Sequence, residues 1–270
     1  MSFKDYSRRL SGKIRTKDAN SSLAYYLTFI AGAINAGGFL AIGQYTSHMS
    51  GIVSGMADSL ALWNWTIVLS GLGAFMAFTA GAGTTAIIIN WARHSYLRSE
   101  YALPILLEAM MLILFGALDG MQWYYDWLWT SVTVAVLCYI MGLQNAIITK
   151  MSHSEFRTTH VTGMVTDIGI ELGKLFYWNP NKNDPKKPIV RGDRAKLKLL
   201  SKLVFLFFLG GVTGAFGFKH LGFTFTVVLA SILVLIASAP ILDDLHAARV
   251  LLMRRRRTEH ELGKGEKRSE

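Results

Sequence analysis

Apolar positions in this chain are gathered into long runs instead of alternating or marking one narrow stripe. Six runs stand out, at residues 22–42, 65–89, 101–118, 128–148, 199–218 and 223–242. About 20 apolar residues in a helix cross the hydrocarbon of a bilayer, so each run predicts a transmembrane helix. Two shorter stretches differ. Residues 52–62 are too few to cross and predict a half-helix, a re-entrant piece or an interfacial segment. Residues 161–176 predict an amphipathic helix, with Val161, Val165, Ile168, Leu172 and Leu175 on its apolar side. Asp167, Glu171 and Lys174 lie along its other side, at spacings that let them pair.

Within the second run, Gly73, Ala77, Gly81 and Thr85 recur every fourth residue, widened by Gly71 and Gly83. The fifth run carries Gly210, Gly211 and Gly214. Both predict small-residue faces along which membrane helices approach closely.

Charge gives the runs a direction. The arm 1–20, the loop 90–100, the region 149–198 and the tail 243–270, with Arg254 to Arg257, are basic. The loops 43–64 and 119–127 hold no Lys or Arg, and the short loop 219–222 is a mild exception. Basic loops stay on the cytoplasmic side, so both termini are expected there. The net charge of +10 is then a topology signal, and nucleic acid is not expected as a partner. With 51% hydrophobic and 17% charged residues, the chain reads as a single membrane domain with polar arms at 1–20 and 243–270. Cys138 is the single cysteine, so no intrachain disulfide forms. The apolar run after the basic arm has no small-residue cleavage site, so no cleavable signal peptide is expected.

The polar motifs recur. Thr46-Ser47-His48-Met49-Ser50-Gly51 matches Thr158-Thr159-His160-Val161-Thr162-Gly163. Ahead of them, Gly32-Ala33-Ile34-Asn35-Ala36 matches Gly142-Leu143-Gln144-Asn145-Ala146. Matched motifs in matched order predict an internal duplication, with repeat one at about 20–120 and repeat two at about 128–242. Three spans per repeat are an odd number, so the second repeat enters the membrane from the opposite side. The expected fold is an all-α integral membrane protein with six transmembrane helices as two inverted three-helix repeats. Short broken or half-helices follow the first and fourth spans.

On these motifs, and on the block Arg157 to Gly163, the chain resembles the YoaK-like family of bacterial integral membrane proteins across roughly residues 20–242. The resemblance implies a helical protein of the bacterial cytoplasmic (inner) membrane, with a small-molecule transporter label and no agreed catalytic residues. It also implies an acid at the position of Asn35 and an Asn at that of Ile52, and this chain departs from both.

A helix that starts at mid-depth leaves its first N–H groups and the positive end of its dipole free for a polar or anionic ligand. Ser50 and Thr162 are read as N-caps or ligands, and His48 and His160 as donors or proton carriers. Gly51 and Gly163 complete the motifs, and Asn35 and Asn145 line the site or hold unwound backbone. These eight residues are the expected substrate-binding set. Asp58, Thr158, Asp167 and Glu171 are secondary candidates. The three acids, and Glu108 near the start of its span, read better as solvated interfacial groups. No His pair has zinc-like spacing, so no metal or cofactor is expected. The expected function is a transporter or facilitator for a small polar or anionic solute, with proton coupling open. A scaffold or sensor is the alternative. An intramembrane enzyme ranks last, because no nucleophile motif such as Gly-x-Ser-x-Gly is present. The expected partners are the lipid bilayer and an unknown solute, with homo-oligomerisation open.

Overall fold

The computed structural model describes residues 3–13, 16–117, 126–152, 158–179 and 189–269. Among these the fold is helical, with no strand. The helices are α1 (Phe3–Ser11), α2 (Lys17–Ile42), α3 (Met49–Ala61), α4 (Trp65–His94), α5 (Ala102–Ala117), α6 (Asp126–Met151), α7 (Val161–Phe176), α8 (Arg194–Leu221) and α9 (Phe225–Ser269). A 3₁₀ turn at Gly222–Thr224 joins the last two. Most of the loop expected at 119–127, most of the polar segment between α7 and α8, and His153, Glu155 and Arg157 lie outside the described residues.

Helix limits follow local chemistry. The Thr16 hydroxyl accepts from Ala19 N to start α2, and Gly43 ends it at φ 68°, a left-handed value that suits glycine. The Asp193 carboxylate accepts from Ala195 N and Lys196 N to start α8.

Four stretches are long and apolar enough to cross a membrane: Asp18–Leu40, Trp65–His94, Ser131–Met151 and Arg194–Val250, the last holding α8 and the first part of α9. The apolar α5 is shorter. Large side chains such as Leu69, Ile87, Phe205, Phe208 and Phe216 are exposed on α4 and α8. Apolar helices with an apolar outer surface are the build of a helical membrane protein.

The most extensive helix pairings are α2 with α8 and α4 with α6. The short α3 lies on α4 and α7 lies on α8, while α5 packs on α9 and α2 meets α6. Glycine makes the two main pairings possible. A Cβ on Gly32 would collide with the carbonyl of Phe207, and one on Gly210 with the carbonyl of Phe29. In the other pairing, a Cβ on Gly142 would collide with the carbonyl of Phe78, and one on Gly81 with that of Tyr139.

Several expectations are corrected. On α4 the packed line is Gly71, Ala74, Gly81, Thr85, Ile89 and Ala92, whereas Gly73 and Gly83 face open space. Steps of four drift by about 40° each around a helix of 3.6 residues per turn, so a face against a straight neighbour mixes steps of three and four. The arm at 1–20 is not simply polar. Ser7, Leu10 and Ser11 are buried, and both hydroxyls donate to Ile236 O at 2.7 Å, docking α1 on α9. The last helix does not stop near Leu242. It continues to Ser269 past Pro240, through residues that favour helix. On α7 the side facing the protein is Val161, Met164, Ile168 and Glu171, while Val165 and Leu172 are exposed. An exposed apolar residue carries no penalty against lipid, so apolar periodicity does not mark the inside.

Glu108 is also buried, at 0% exposure, and accepts a hydrogen bond from Gln144 Nε2 at 2.8 Å. Its neighbours in chain gave no sign of this, because the helices α6 and α9 that cover it come from far along the sequence.

Candidate functional site

The end of α2 and the start of α3 form a closed polar unit. The Asn35 Oδ1 accepts from Ser47 Oγ at 2.9 Å and from Ser47 N at 3.4 Å. The same unit recurs between α6 and α7. There Asn145 Oδ1 accepts from Thr159 Oγ1 at 2.9 Å, and Asn145 Nδ2 donates to Thr159 Oγ1 at 2.7 Å and to Met141 O at 2.9 Å. The Thr158 hydroxyl adds a longer bond of 3.5 Å to Asn145 Oδ1. Each asparagine thus ties the incoming loop to the helix before it. An amide of this kind is costly to bury without partners, and here the hydroxyls meet that need.

His48 and His160 stand at the N-cap positions of α3 and α7, with nearly equal backbone angles of φ −91°, ψ 69° and φ −84°, ψ 58°. Neither makes a side-chain capping bond. Ser50 and Thr162 therefore sit inside the first turn and are not caps. The cause is a shift of two positions: the non-helical cap residue is the His, not the hydroxyl two residues later. Gly51 and Gly163 let each imidazole fold over its own first turn. A Cβ on Gly51 would lie 2.6 Å from His48 Nδ1, and one on Gly163 would strike His160.

Both motifs open onto a single cavity of about 940 Å³. Its wall includes Asn35, Ser47, His48 and Ser50 from one half and Asn145, Thr159, His160 and Thr162 from the other. Phe78 of α4 and Phe207 of α8 also line it. None of the described lining residues is an acid, Lys or Arg. Six of the eight expected binding residues are thus in one wall. Gly51 and Gly163 lie beneath the imidazole rings.

The secondary candidates are elsewhere. Asp58 is exposed on α3, and Asp167 pairs with Lys196 at 3.1 Å. Glu171 is not a solvated acid. It is 3% exposed, accepts from Lys174 Nζ at 2.9 Å and from Asp193 N at 2.8 Å, and so ties α7 to the start of α8. The Lys174 ammonium, and then the Asp193 N–H, hold its carboxyl below the usual glutamate range. Among the described residues no group of His, Cys, Asp and Glu is placed to hold a metal ion.

The wall also holds residues not expected from sequence, among them Ser47, Thr159, Phe78 and Phe207. Ser47 and Thr159 share the second hydroxyl position of the repeated motif, and that recurrence was sufficient to find them. Phe78 and Phe207 each stand three residues before a packing glycine, Gly81 and Gly210.

Residues 23–239 match the family model described as protein of unknown function (DUF1275). The YoaK-like resemblance is consistent with this match. No curated protein and no solved structure matches the chain.

Proposed function

The chain belongs to the DUF1275 family, and from its geometry we propose a transporter or facilitator for a small polar or anionic solute. The solute site is the cavity shared by the two His motifs, between two inverted three-span repeats of the bacterial cytoplasmic membrane. The observation that carries this reading is that corresponding polar residues of both halves line one wall. A wall shared by both halves at their interface is the arrangement of alternating-access carriers, in which one repeat rocks against the other around a fixed site.

The chemistry of the wall favours the solute class. The helices α3 and α7 both start there with no side-chain cap, so first-turn N–H groups and two positive dipole ends are directed at it. Ser50 and Thr162 add hydroxyls, and His48 and His160 add groups that donate and can carry protons. With no carboxylate in the described wall, an anion meets no fixed negative charge. Asn35 and Asn145 hold the unwound backbone with one face of each exposed to the cavity. In this reading the solute passes unchanged, and catalysis plays no part.

The test is uptake by proteoliposomes containing the full chain, against a panel of small anionic and polar metabolites. Uptake of at least one solute is expected. Thr162→Val and His160→Ala should abolish it while the melting temperature in detergent stays near that of the parent. Uptake unchanged in both variants, or none across the panel from well-folded protein, would overturn the reading.

A further inference from the structure

We propose that Glu108 and Gln144 together form a proton-binding site inside the helical core, with the Glu108 carboxyl carrying the proton in the packed state. The inference is separate from the nature of the solute and stands whether or not the cavity transports anything.

Glu108 of α5 and Gln144 of α6 are each 0% exposed, and Ile105, Ala109 and Leu112 around Glu108 on α5 are equally buried. One bond joins the pair, from Gln144 Nε2 to Glu108 Oε1 at 2.8 Å. Two oxygens are left over: Glu108 Oε2 and Gln144 Oε1 are buried without a hydrogen-bond partner. Both are acceptors if the carboxyl is ionised, so neither can satisfy the other. An ionised carboxylate there would hold its charge against one neutral N–H, which does not compensate for the lost hydration.

The charged groups of the surrounding elements are engaged elsewhere. Arg93 of α4 pairs with Glu100 at 3.1 Å and with the Tyr101 hydroxyl at 2.7 Å. Asp244 of α9 accepts from Ser99 N and Oγ and from Arg98 N, and Asp243 pairs with Arg8. On α6, Lys150 bonds Asn90, the Tyr139 hydroxyl donates to Thr84 and the Cys138 thiol to Thr46 O. Residues 225–242 of α9 contain no ionisable side chain. Nothing among the described residues neutralises Glu108 from outside the pair.

One proton resolves both orphaned atoms. On Oε2 it removes the charge and makes that oxygen a donor, for which Gln144 Oε1, on the amide that already bonds the carboxyl, supplies an unused acceptor. The proton comes from water when the helices part and returns to water on ionisation, with no other bond made or broken.

The duplication makes this pair informative. In the frame that matches Gly32 with Gly142 and Asn35 with Asn145, the counterpart of Gln144 is Ile34, itself fully buried. The first half shows that the fold does not need an amide there. Gln144 also directly precedes Asn145 on α6, the residue that lines the cavity wall and bonds Thr159 ahead of α7.

Infrared spectroscopy on the purified full chain in lipid tests this. At neutral pH the protein should show the C=O stretch of a protonated carboxylic acid in an apolar environment. The band should vanish on alkalinisation and be missing from Glu108→Gln. Gln144→Leu should move the band, because its hydrogen bond is lost. Glu108→Gln keeps a neutral side chain of the same shape, so it should fold; if it does not, the titration of the unaltered protein and Gln144→Leu still decide. A carboxylate signature at neutral pH with no such band overturns the proposal. So does a signal that responds to sodium at constant pH, which marks a cation site instead. Uptake results do not enter, so failure of transport and failure of this site are told apart.

Discussion

At the scale of single residues, glycines and asparagines carry different burdens. Gly81 lets α4 reach the backbone of α6 at Tyr139, while Gly73, two turns away on the same helix, faces open space. Gly81→Leu is expected to lower stability by about 3 kcal/mol or more, because neither backbone can yield. Gly73→Leu should leave it unchanged or raise it by up to about 1 kcal/mol, since a helix-interior glycine is itself unfavourable. Thermal melts of the two purified variants check this, and equal losses would contradict the packing line described above. The two asparagines also differ. Among the described residues Asn145 holds Thr158, Thr159 and Met141 O, whereas Asn35 holds Ser47. Asn145→Ala should therefore cost about 1–2 kcal/mol and Asn35→Ala clearly less, judged by melting temperature.

At the scale of elements, the join between α7 and α8 is electrostatic and so depends on pH. Glu171 bridges Lys174 and Asp193 N, and Lys196 reaches back to Asp167. The Glu171 carboxyl titrates lower in the folded chain than in the unfolded one, where it has the ordinary value of about 4.3. Its contribution is therefore complete above that value and is lost as pH falls through the lower folded value. Hydrogen exchange at residues 189–197 should rise over that acid range in the parent protein. In Glu171→Gln it should already be raised at neutral pH and respond less to acid. The helices themselves were legible from sequence, because the length and composition of a run set whether it can cross. The repeated polar motifs were legible too, by comparison of the chain with itself. What stayed hidden was which side of each helix meets protein. In lipid the apolar side is not the inner side, so Glu171 was placed outward and the line on α4 was drawn through Gly73. Glu108 escaped for the related reason that its depth is set by α6 and α9, not by its distance from the end of its own run.

At the scale of the whole molecule, the most extensive contacts pair off by exchange, while α5 on α6 has no comparable counterpart between α9 and α2 among the described residues. The pairing of α2 with α8 has its counterpart in α6 with α4, and α3 on α4 in α7 on α8. The α5–α9 and α2–α6 contacts join elements that correspond to each other. Even single contacts follow this rule: Gly32 meets Phe207 as Gly142 meets Phe78. Exchange of this kind is what a two-fold axis between halves produces, and it leaves open where that axis lies relative to the bilayer. Charge and aromatic residues argue for an axis in the membrane plane. The turn from α3 to α4 presents exposed Trp63 and Trp65 with no Lys or Arg, whereas the end of α7 presents exposed Tyr177 and Trp178 beside the Lys-rich segment that follows in sequence. Aromatic residues gather at both interfaces, but basic residues gather on the cytoplasmic one. In the proposed inverted arrangement the two short helices start from one cavity and run towards opposite surfaces. Reporter fusions should accordingly place Asp58 and Asp119 outside, and Pro185 and both termini inside. A cytoplasmic signal at Asp119 would leave repeat one with an even number of crossings, and the second repeat would then enter from the same side as the first. The exchange of contacts would remain, but the axis would stand along the membrane normal, and a carrier that alternates by rocking inverted halves would no longer follow from it.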